Sequence, residues 1–373
     1  MGRRLTVVQL LPALASGGVE RSTIEIAEAL VRAGHRALVV SKGGRLVPAL
    51  EAVGGEHIEL DIGAKSLATL TRIGALRRII QDADADIVHA RSRLPAWLGH
   101  FALRGLPAAT RPHWVTTVHG LNSPSRYSAI MTSGERVICV SQTVRDYVLQ
   151  HYPRTDPDKL RVIPRGIDVA DFPRRKGVDH AARERLAIQH PALSGDGPLL
   201  LLPGRGTRLK GHADALALLT RVREQGIDAR LWMPGAREPG REDYVAELEA
   251  DAARAGCADA LAITEPTFDI ANAYAMSDIV LQLSRKPETF GRTVIEAFSV
   301  GVPVVGWAHG GVGELLEALQ PQAAVPPFDM DALSASVMTM LRQPPAPPAT
   351  MPYTLRAMQD ATLAVYDEMH ELD

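Results

Sequence analysis

The chain has 373 residues, too many for one hydrophobic core of ordinary size and enough for two. With 46% hydrophobic and 23% charged residues it is neither disordered nor fibrous in composition. Two cysteines, Cys139 and Cys257, exclude a disulfide framework, and no apolar run reaches the roughly 18 residues a bilayer span needs, so a reducing cytoplasm is the expected compartment.

The net charge of −2 hides an asymmetry. Residues 1–170 carry 22 Lys and Arg against 15 Asp and Glu, while the rest carry 19 against 28. A basic front half suits an anionic partner, a phosphorylated acceptor or an anionic lipid surface, in preference to nucleic acid; random scatter of surface charge is the alternative. Arg72, Arg77 and Arg78 fall on one expected helix, with Arg91, Arg93, Arg104 and Arg111 near in sequence. Together they are candidates for peripheral contact with the anionic inner membrane.

The chain opens with Met1-Gly2-Arg3-Arg4, an apolar run and Ala13-Leu14-Ala15, which imitates a secretory signal. Gln9 and Pro12 interrupt that run and Gly17-Gly18 follows, so a strand leading into a glycine loop is the better expectation. Further strands are expected at 37–41, 57–60, 87–90, 114–118 and 136–140, with helices such as 20–33 and 67–81 between them. Ile163-Pro164-Arg165-Gly166-Ile167-Asp168 reads as a linker, after which the alternation restarts with strands at 199–202, 230–233, 260–264, 279–283 and 303–306. Alternating strands and helices imply parallel sheets covered on both faces. The expected architecture is α/β: two doubly wound, Rossmann-like domains, 1–164 and 165–350, facing each other across a cleft where strand carboxyl ends meet. Residues 351–373 follow a Pro-rich connector and form a helix that either packs back on the first domain or frays.

Three motifs bear on chemistry. Gly17 and Gly18 stand between a strand and a helix N-terminus, where backbone can approach an anion, although a tight turn explains them equally well. Neither a GxGxxG fingerprint nor a P-loop occurs, which counts against a dehydrogenase or a P-loop NTPase. Gly204-Arg205 closes a strand and Lys210-Gly211 opens a helix, so two cations can converge on a diphosphate whose charge grows as it departs. The strongest feature is Pro287-Glu288-Thr289-Phe290-Gly291-Arg292-Thr293-Val294-Ile295-Glu296. Glu288 lies in the loop and Glu296 about one turn inside the helix, and the Phe290 and Gly291 amides lie between them. That spacing suits two sets of hydroxyls flanking a phosphate.

These motifs, with His119-Gly120, Gly301-Val302-Pro303 and Gly310-Gly311-Val312-Gly313-Glu314 in the same order, resemble the retaining glycosyltransferases of family 4, which have the GT-B fold. The resemblance covers nearly the whole chain. It implies that Arg205 and Lys210 hold the diphosphate of a UDP- or GDP-sugar donor, Glu296 the ribose and Glu288 the donor sugar. His119 would contact the transferred sugar, and Gly17 and Gly18 would border phosphate and acceptor. Phe290, Gly291, Arg292 and Thr293 belong to the nucleotide-binding element. The acceptor would be a saccharide or lipid-linked glycan, in envelope polysaccharide or lipopolysaccharide synthesis, since the Pro-Glu-x-Phe-Gly-Arg-Thr variant looks like enzymes of lipopolysaccharide core assembly. The resemblance implies front-side transfer with retained configuration and closure of the lobes to exclude water. No His, Asp and Glu cluster has metal-ligand spacing, so no metal and no other cofactor are expected.

Two positions depart from the family pattern. Arg165 replaces a frequent Asn, and Arg292 replaces a frequent Leu and either adds a cation near the phosphates or points to solvent. The alternatives are a GT-B sugar-nucleotide epimerase or phosphorylase, or a bilobed sugar-binding protein without catalysis.

Overall fold

A computed structural model describes residues 3–15 and 17–370. The chain forms two compact units, residues 1–165 with 355–373, and residues 166–354. Unit 1 contains β1 (Thr6–Leu10), α1 (Gly18–Arg32), β2 (Arg36–Ser41), α2 (Val47–Ala52), β3 (Glu56–Glu59), α3 (Ile73–Asp82) and β4 (Ile87–Ala90). It continues with α4 (Arg93–Arg104), β5 (His113–Val118), β6 (Arg136–Cys139), α5 (Gln142–His151) and β7 (Leu160–Val162). The seven strands are parallel in the order β3-β2-β1-β4-β5-β6-β7.

Unit 2 runs α6 (His180–Gln189), β8 (Leu199–Leu201), α7 (His212–Glu224), β9 (Arg230–Pro234), α8 (Glu242–Arg254), β10 (Leu261–Thr264) and α9 (Ile270–Ala275). Then come β11 (Ile279–Gln282), α10 (Arg292–Val300), β12 (Val304–Trp307), α11 (Gly310–Leu319), β13 (Ala324–Val325) and α12 (Met330–Arg342). Its six strands are parallel in the order β10-β9-β8-β11-β12-β13. These are two Rossmann-like sheets. In each, strand order reverses beside the first strand, between β1 and β4 and between β8 and β11, and the loops diverge there to leave a crevice.

The last helix, α13 (Leu355–His370), belongs to unit 1 and packs against α1. Gln359 clamps it, accepting from Arg32 Nη2 at 2.7 Å and donating to the Glu25 carbonyl at 2.7 Å. Glu368 accepts from Arg136 Nε at 2.8 Å and Arg161 Nη2 at 2.6 Å, and the hydrogen bond from Arg136 is the first cause holding its carboxyl at about 2.

Sequence periodicity misses β7 and β13, which are too short to show a period. The single helix expected over 67–81 divides into a 3-10 segment, Leu67–Arg72, and α3. Ser66 caps the first piece, and the Thr69 hydroxyl donates to the Ala64 carbonyl, giving the backbone a local alternative to the α ladder. The basic face expected from that helix is also reduced. Arg72 pairs with Asp61 at 3.3 Å, and Arg77 donates to the Ala102 carbonyl at the end of α4, which leaves Arg78 exposed. Arg91 is buried at 2% exposure and is not a surface residue.

The alternation of the unit 1 strands explains that burial. Val8, Leu10, Leu38, Val40 and Val88 face α3, α4 and α5, whereas Val7, Leu11, Ala37, Val39, Ile87 and Val115 face α1, α2 and α13. On the second face the carboxyl halves of the strands switch to polar residues: Gln9, His89, Arg91 and Thr117, all at 0–2% exposure. They satisfy one another. His89 Nδ1 meets the Tyr366 hydroxyl of α13 at 2.7 Å, and Nε2 meets Thr117 Oγ1 at 2.7 Å. Arg91 donates Nη1 to Gln9 Oε1 and Nη2 to Ser22 Oγ of α1, each at 2.7 Å.

Burial, then the charges of Arg91 and Arg165, push His89 well below the ordinary 6.5. The unfolded chain therefore takes up a proton that the folded chain refuses. This contribution to stability is complete above the unfolded value and is lost as pH falls below it. His89→Gln should cost about 1–3 kcal/mol by breaking the pair of buried hydrogen bonds, and should flatten the fall of the unfolding midpoint as the medium is acidified from roughly neutral toward pH 5. Equal slopes in the two proteins would remove His89 as a source of acid sensitivity.

Candidate active site

In unit 2 the loop after β8 and the loop after β11 meet at the switch point. Lys210 ends a 3-10 turn, and Gly211 follows with φ +80°, where a Cβ would lie 2.1 Å from the Leu283 carbonyl oxygen. Only a glycine lets the two loops approach this closely. The approach sets Lys210 Nζ 2.6 Å from Glu288 Oε1, with both side chains a quarter to a third exposed. The Ser284 hydroxyl also contacts Glu288 Oε1. Behind Glu288, its carbonyl accepts from the Gly311 amide at 2.7 Å, and Gly310, at φ +61°, has no room for a Cβ beside the Glu288 backbone. Arg205 is exposed on the β8 loop and makes no side-chain hydrogen bond among the described residues.

Glu296 lies inside α10 at 8% exposure. Its Oε2 accepts from the Tyr274 hydroxyl of α9 at 2.9 Å, and Arg292 Nε stands 3.6 Å from Oε1. Arg292, at the start of α10, thus reaches one helical turn onward to Glu296. Burial, then the Glu296 charge, pushes the Tyr274 phenol well above its usual range, so it stays a donor. The N-cap of α10 is Gly291, which offers no side-chain cap, and Thr293 lies in its first turn. Phe290 is buried against Tyr353, with ring centroids 5.9 Å apart. A row of groups results: carboxylate, cation, uncapped helix end, second carboxylate. It can hold hydroxyls at both ends and an anion between them.

A cavity of about 680 Å³ in unit 2 opens among α6, Trp232, the β10 end and α9. None of the motif residues lines it, so the site is assigned from the carboxylates and cations at the switch point and not from this hollow.

His119, Gly17 and Gly18 lie in unit 1, at its own switch point. There a cavity of about 330 Å³ is lined by residues after β1, β4 and β5, His119 among them. Gly17 is the N-cap of α1, which begins at Gly18. Arg165 donates Nη2 to His119 Nδ1 at 2.6 Å, so the imidazole carries its proton on Nε2. Burial first, then the charges of Arg165, Arg91 and His89, hold His119 well below the usual histidine range and keep it neutral. The departure at Arg165 thus fixes the tautomer of a site residue.

Sequence reasoning missed Tyr274, Ser284 and the inward course of Arg91. A tyrosine within a short helical stretch carries no signal of its function, because the contact with Glu296 arises only when α9 packs on α10. Among the described residues, no group of three or more His, Cys, Asp and Glu could hold a metal ion. Among the same residues no helix is long and apolar enough to cross a membrane.

Comparison with known proteins finds two family matches: "Glycosyltransferase Family 4" over residues 16–171 and "Glycosyl transferases group 1" over residues 184–354. D-inositol 3-phosphate glycosyltransferase 1 of Catenulispora acidiphila is 26% identical over 81% of this chain and 77% of its own. A glycosyltransferase of Rickettsia africae superposes with a TM-score of 0.87 at 28% identity, over 100% of both chains. Anabaena Alr3699/HepE in complex with UDP and glucose superposes with a TM-score of 0.73 at 21% identity, over 98% of this chain and 95% of that one.

Proposed function

The chain belongs to the family 4 glycosyltransferases of GT-B fold, and from that premise we propose that it transfers a sugar, with retention, from a nucleoside diphosphate donor to a saccharide or lipid-linked acceptor of the cell envelope, lipopolysaccharide included. The observation that carries this reading is the row formed by Glu288, Lys210, the α10 end and Glu296. Its order matches that of sugar, diphosphate and ribose in the donor. The bound UDP and glucose of the Anabaena neighbour support a UDP-sugar.

Each residue then has a task. Glu296, aimed by Tyr274, accepts from the ribose hydroxyls. Arg205, Lys210 and the amides of Phe290 and Gly291 stabilise the diphosphate as its charge grows, which lowers the barrier because the stabilisation is greater in the transition state. Glu288 is paired with Lys210 when no donor is present; with donor bound, Lys210 turns to phosphate and Glu288 to the sugar hydroxyls. In unit 1, neutral His119 presents Nε2–H to a sugar hydroxyl, and Gly17 and Gly18 border the acceptor and phosphate. The departing phosphate oxygen takes the acceptor proton as the new glycosidic bond forms on the same face, with no metal taking part.

Glu296→Ala should weaken UDP binding by about 1.5–3 kcal/mol, and Tyr274→Phe by about 0.5–1.5 kcal/mol, since the latter removes one neutral donor to a carboxylate that remains. Calorimetric titration measures both, and EDTA should leave the wild-type transfer rate unchanged. Equal UDP affinity in wild type and both variants would take Glu296 out of the site.

Peripheral contact with an anionic membrane belongs to the same proposal, through the exposed Arg78, Arg104 and Arg111, with Leu67, at 86% exposure, opening the 3-10 segment that precedes α3. Each such cation near the surface adds on the order of 1 kcal/mol, screened by salt. Vesicle co-sedimentation should require anionic lipid, weaken at high salt and fall when Arg78 and Arg104 become Ser. Equal binding to neutral vesicles, or none at low salt, would exclude it.

A further inference from the structure

The loop between β12 and α11 grips the loop after β11 at two points. The Gly311 amide donates to the Glu288 carbonyl at 2.7 Å, and His309 Nε2 meets the Ser284 carbonyl at 2.8 Å. A carbonyl can only accept, so the imidazole carries a proton on Nε2. The two grips stand at the ends of Ser284-Arg285-Lys286-Pro287-Glu288, and the course of that segment is fixed between them. His309 is the N-cap of α11 but makes no capping bond with its side chain. Its ring is spent on the neighbouring loop.

His309 is itself wedged in place. Phe328, in the turn between β13 and α12, meets it edge-on, with ring centroids 5.9 Å apart and planes at 83°. The same Phe328 ring lies 5.9 Å from that of Trp307 and 4.9 Å from the Arg285 guanidinium. Phe328 keeps this position at φ +69°, a left-handed conformation that a bulky residue adopts only under constraint from its surroundings. Arg285 is in turn tied to both carboxylate oxygens of Asp214 on α7, at 2.6 and 2.9 Å.

This brace controls the aim of one carboxylate. Ser284 is 5% exposed, and its hydroxyl has one proton and two acceptors within reach, Gln282 Oε1 at 3.1 Å and the nearer Glu288 Oε1. A charged acceptor is the stronger one, so the proton goes to Glu288. Lys210 grips the same oxygen, and Glu288 Oε2 has no hydrogen-bond partner among the described residues. One oxygen of Glu288 is therefore held by the protein and the other is left open. Once a donor draws Lys210 to its phosphates, Ser284 is the group that still holds Oε1.

We infer that His309 is a positioning residue that sets which donor sugar the enzyme accepts: it fixes Ser284, Ser284 fixes Glu288 Oε1, and Oε2 is left to read one sugar hydroxyl in one configuration. The inference rests on the reading of Glu288 as the sugar-binding carboxylate and deepens it. A carboxylate free to turn could follow a hydroxyl from equatorial to axial. One pinned at Oε1 cannot, and the wrong epimer leaves it unpaired. The substrate class selected in this way is a single epimer of a nucleoside diphosphate hexose.

Calorimetric titration of the full chain with UDP-glucose and UDP-galactose, and with GDP-glucose and GDP-mannose, measures the discrimination. Wild type should prefer one epimer of a pair by at least about tenfold. His309→Ala and Ser284→Ala should each narrow that preference to about twofold while still binding the bare nucleotide. His309→Gln, which retains an N–H near the Nε2 position, should restore it. A preference that survives both alanine variants, or that His309→Gln fails to restore, overturns the inference, as does a wild type that binds the epimers of each pair alike. Crystals of the ligand-free variants give a second answer. The Glu288 carboxylate should leave its wild-type position in His309→Ala and keep it in His309→Gln; an unmoved Glu288 in His309→Ala would overturn the brace. Failure of both UDP and GDP to bind wild type would instead remove the donor reading of unit 2, and the ligand-free crystals would still decide the role of His309.

Discussion

The approach of the β8 and β11 loops in unit 2 is the constraint on which the site depends. Parallel strands whose order reverses send their following loops in opposite directions, and the crevice between them is open to a ligand. Here it is narrowed by one residue without a side chain: Gly211, at φ +80°, lies where any Cβ would strike the Leu283 carbonyl. With that contact made, Lys210 is delivered to Glu288, and Glu288 is braced from behind by Gly311. The ion pair is partly solvated and contributes little to stability, of the order expected for a surface pair. Its consequence is positional: a cation and a carboxylate are held together beside the end of an uncapped helix, where the proposed function places phosphate and hydroxyls.

Unit 1 repeats the topology with different chemistry. The strand face toward α1 and α13 is apolar at its amino half and polar at its carboxyl half. Glu368 and Gln359 hold α13 in place so that Tyr366 can complete the hydrogen bonding of His89. Without α13 a buried imidazole would lose one partner, at a cost of about 1–3 kcal/mol. Arg165 joins His119 to Met358 of the terminal helix, and Arg91 lies in the same polar layer, so the terminal helix and the buried charges of unit 1 belong together.

Much of this was legible before the fold was known. Period-2 and apolar runs located eleven of the strands because buried parallel strands are apolar on both faces. The two missed, β7 and β13, have three and two residues, too few to show a period. The Glu288 and Glu296 spacing was readable because eight residues along a loop and helix start place two carboxylates on one side. The partners of those carboxylates were not readable. Tyr274 reaches Glu296 from another helix, and Ser284 and Lys210 reach Glu288 across a switch point, which are facts of packing and not of spacing. The arginines misled for a related reason. Charge counts cannot distinguish Arg78, which is exposed, from Arg77, which caps α4, or from Arg91, which is buried.

A crystal structure of the full chain with UDP tests the central claim most directly. The account predicts ribose hydroxyls about 3 Å from the Glu296 carboxylate and a diphosphate within hydrogen-bond reach of Lys210 and the α10 amides, with Lys210 drawn off Glu288. UDP lodged in the hollow under Trp232, with the Lys210–Glu288 pair intact, would contradict it.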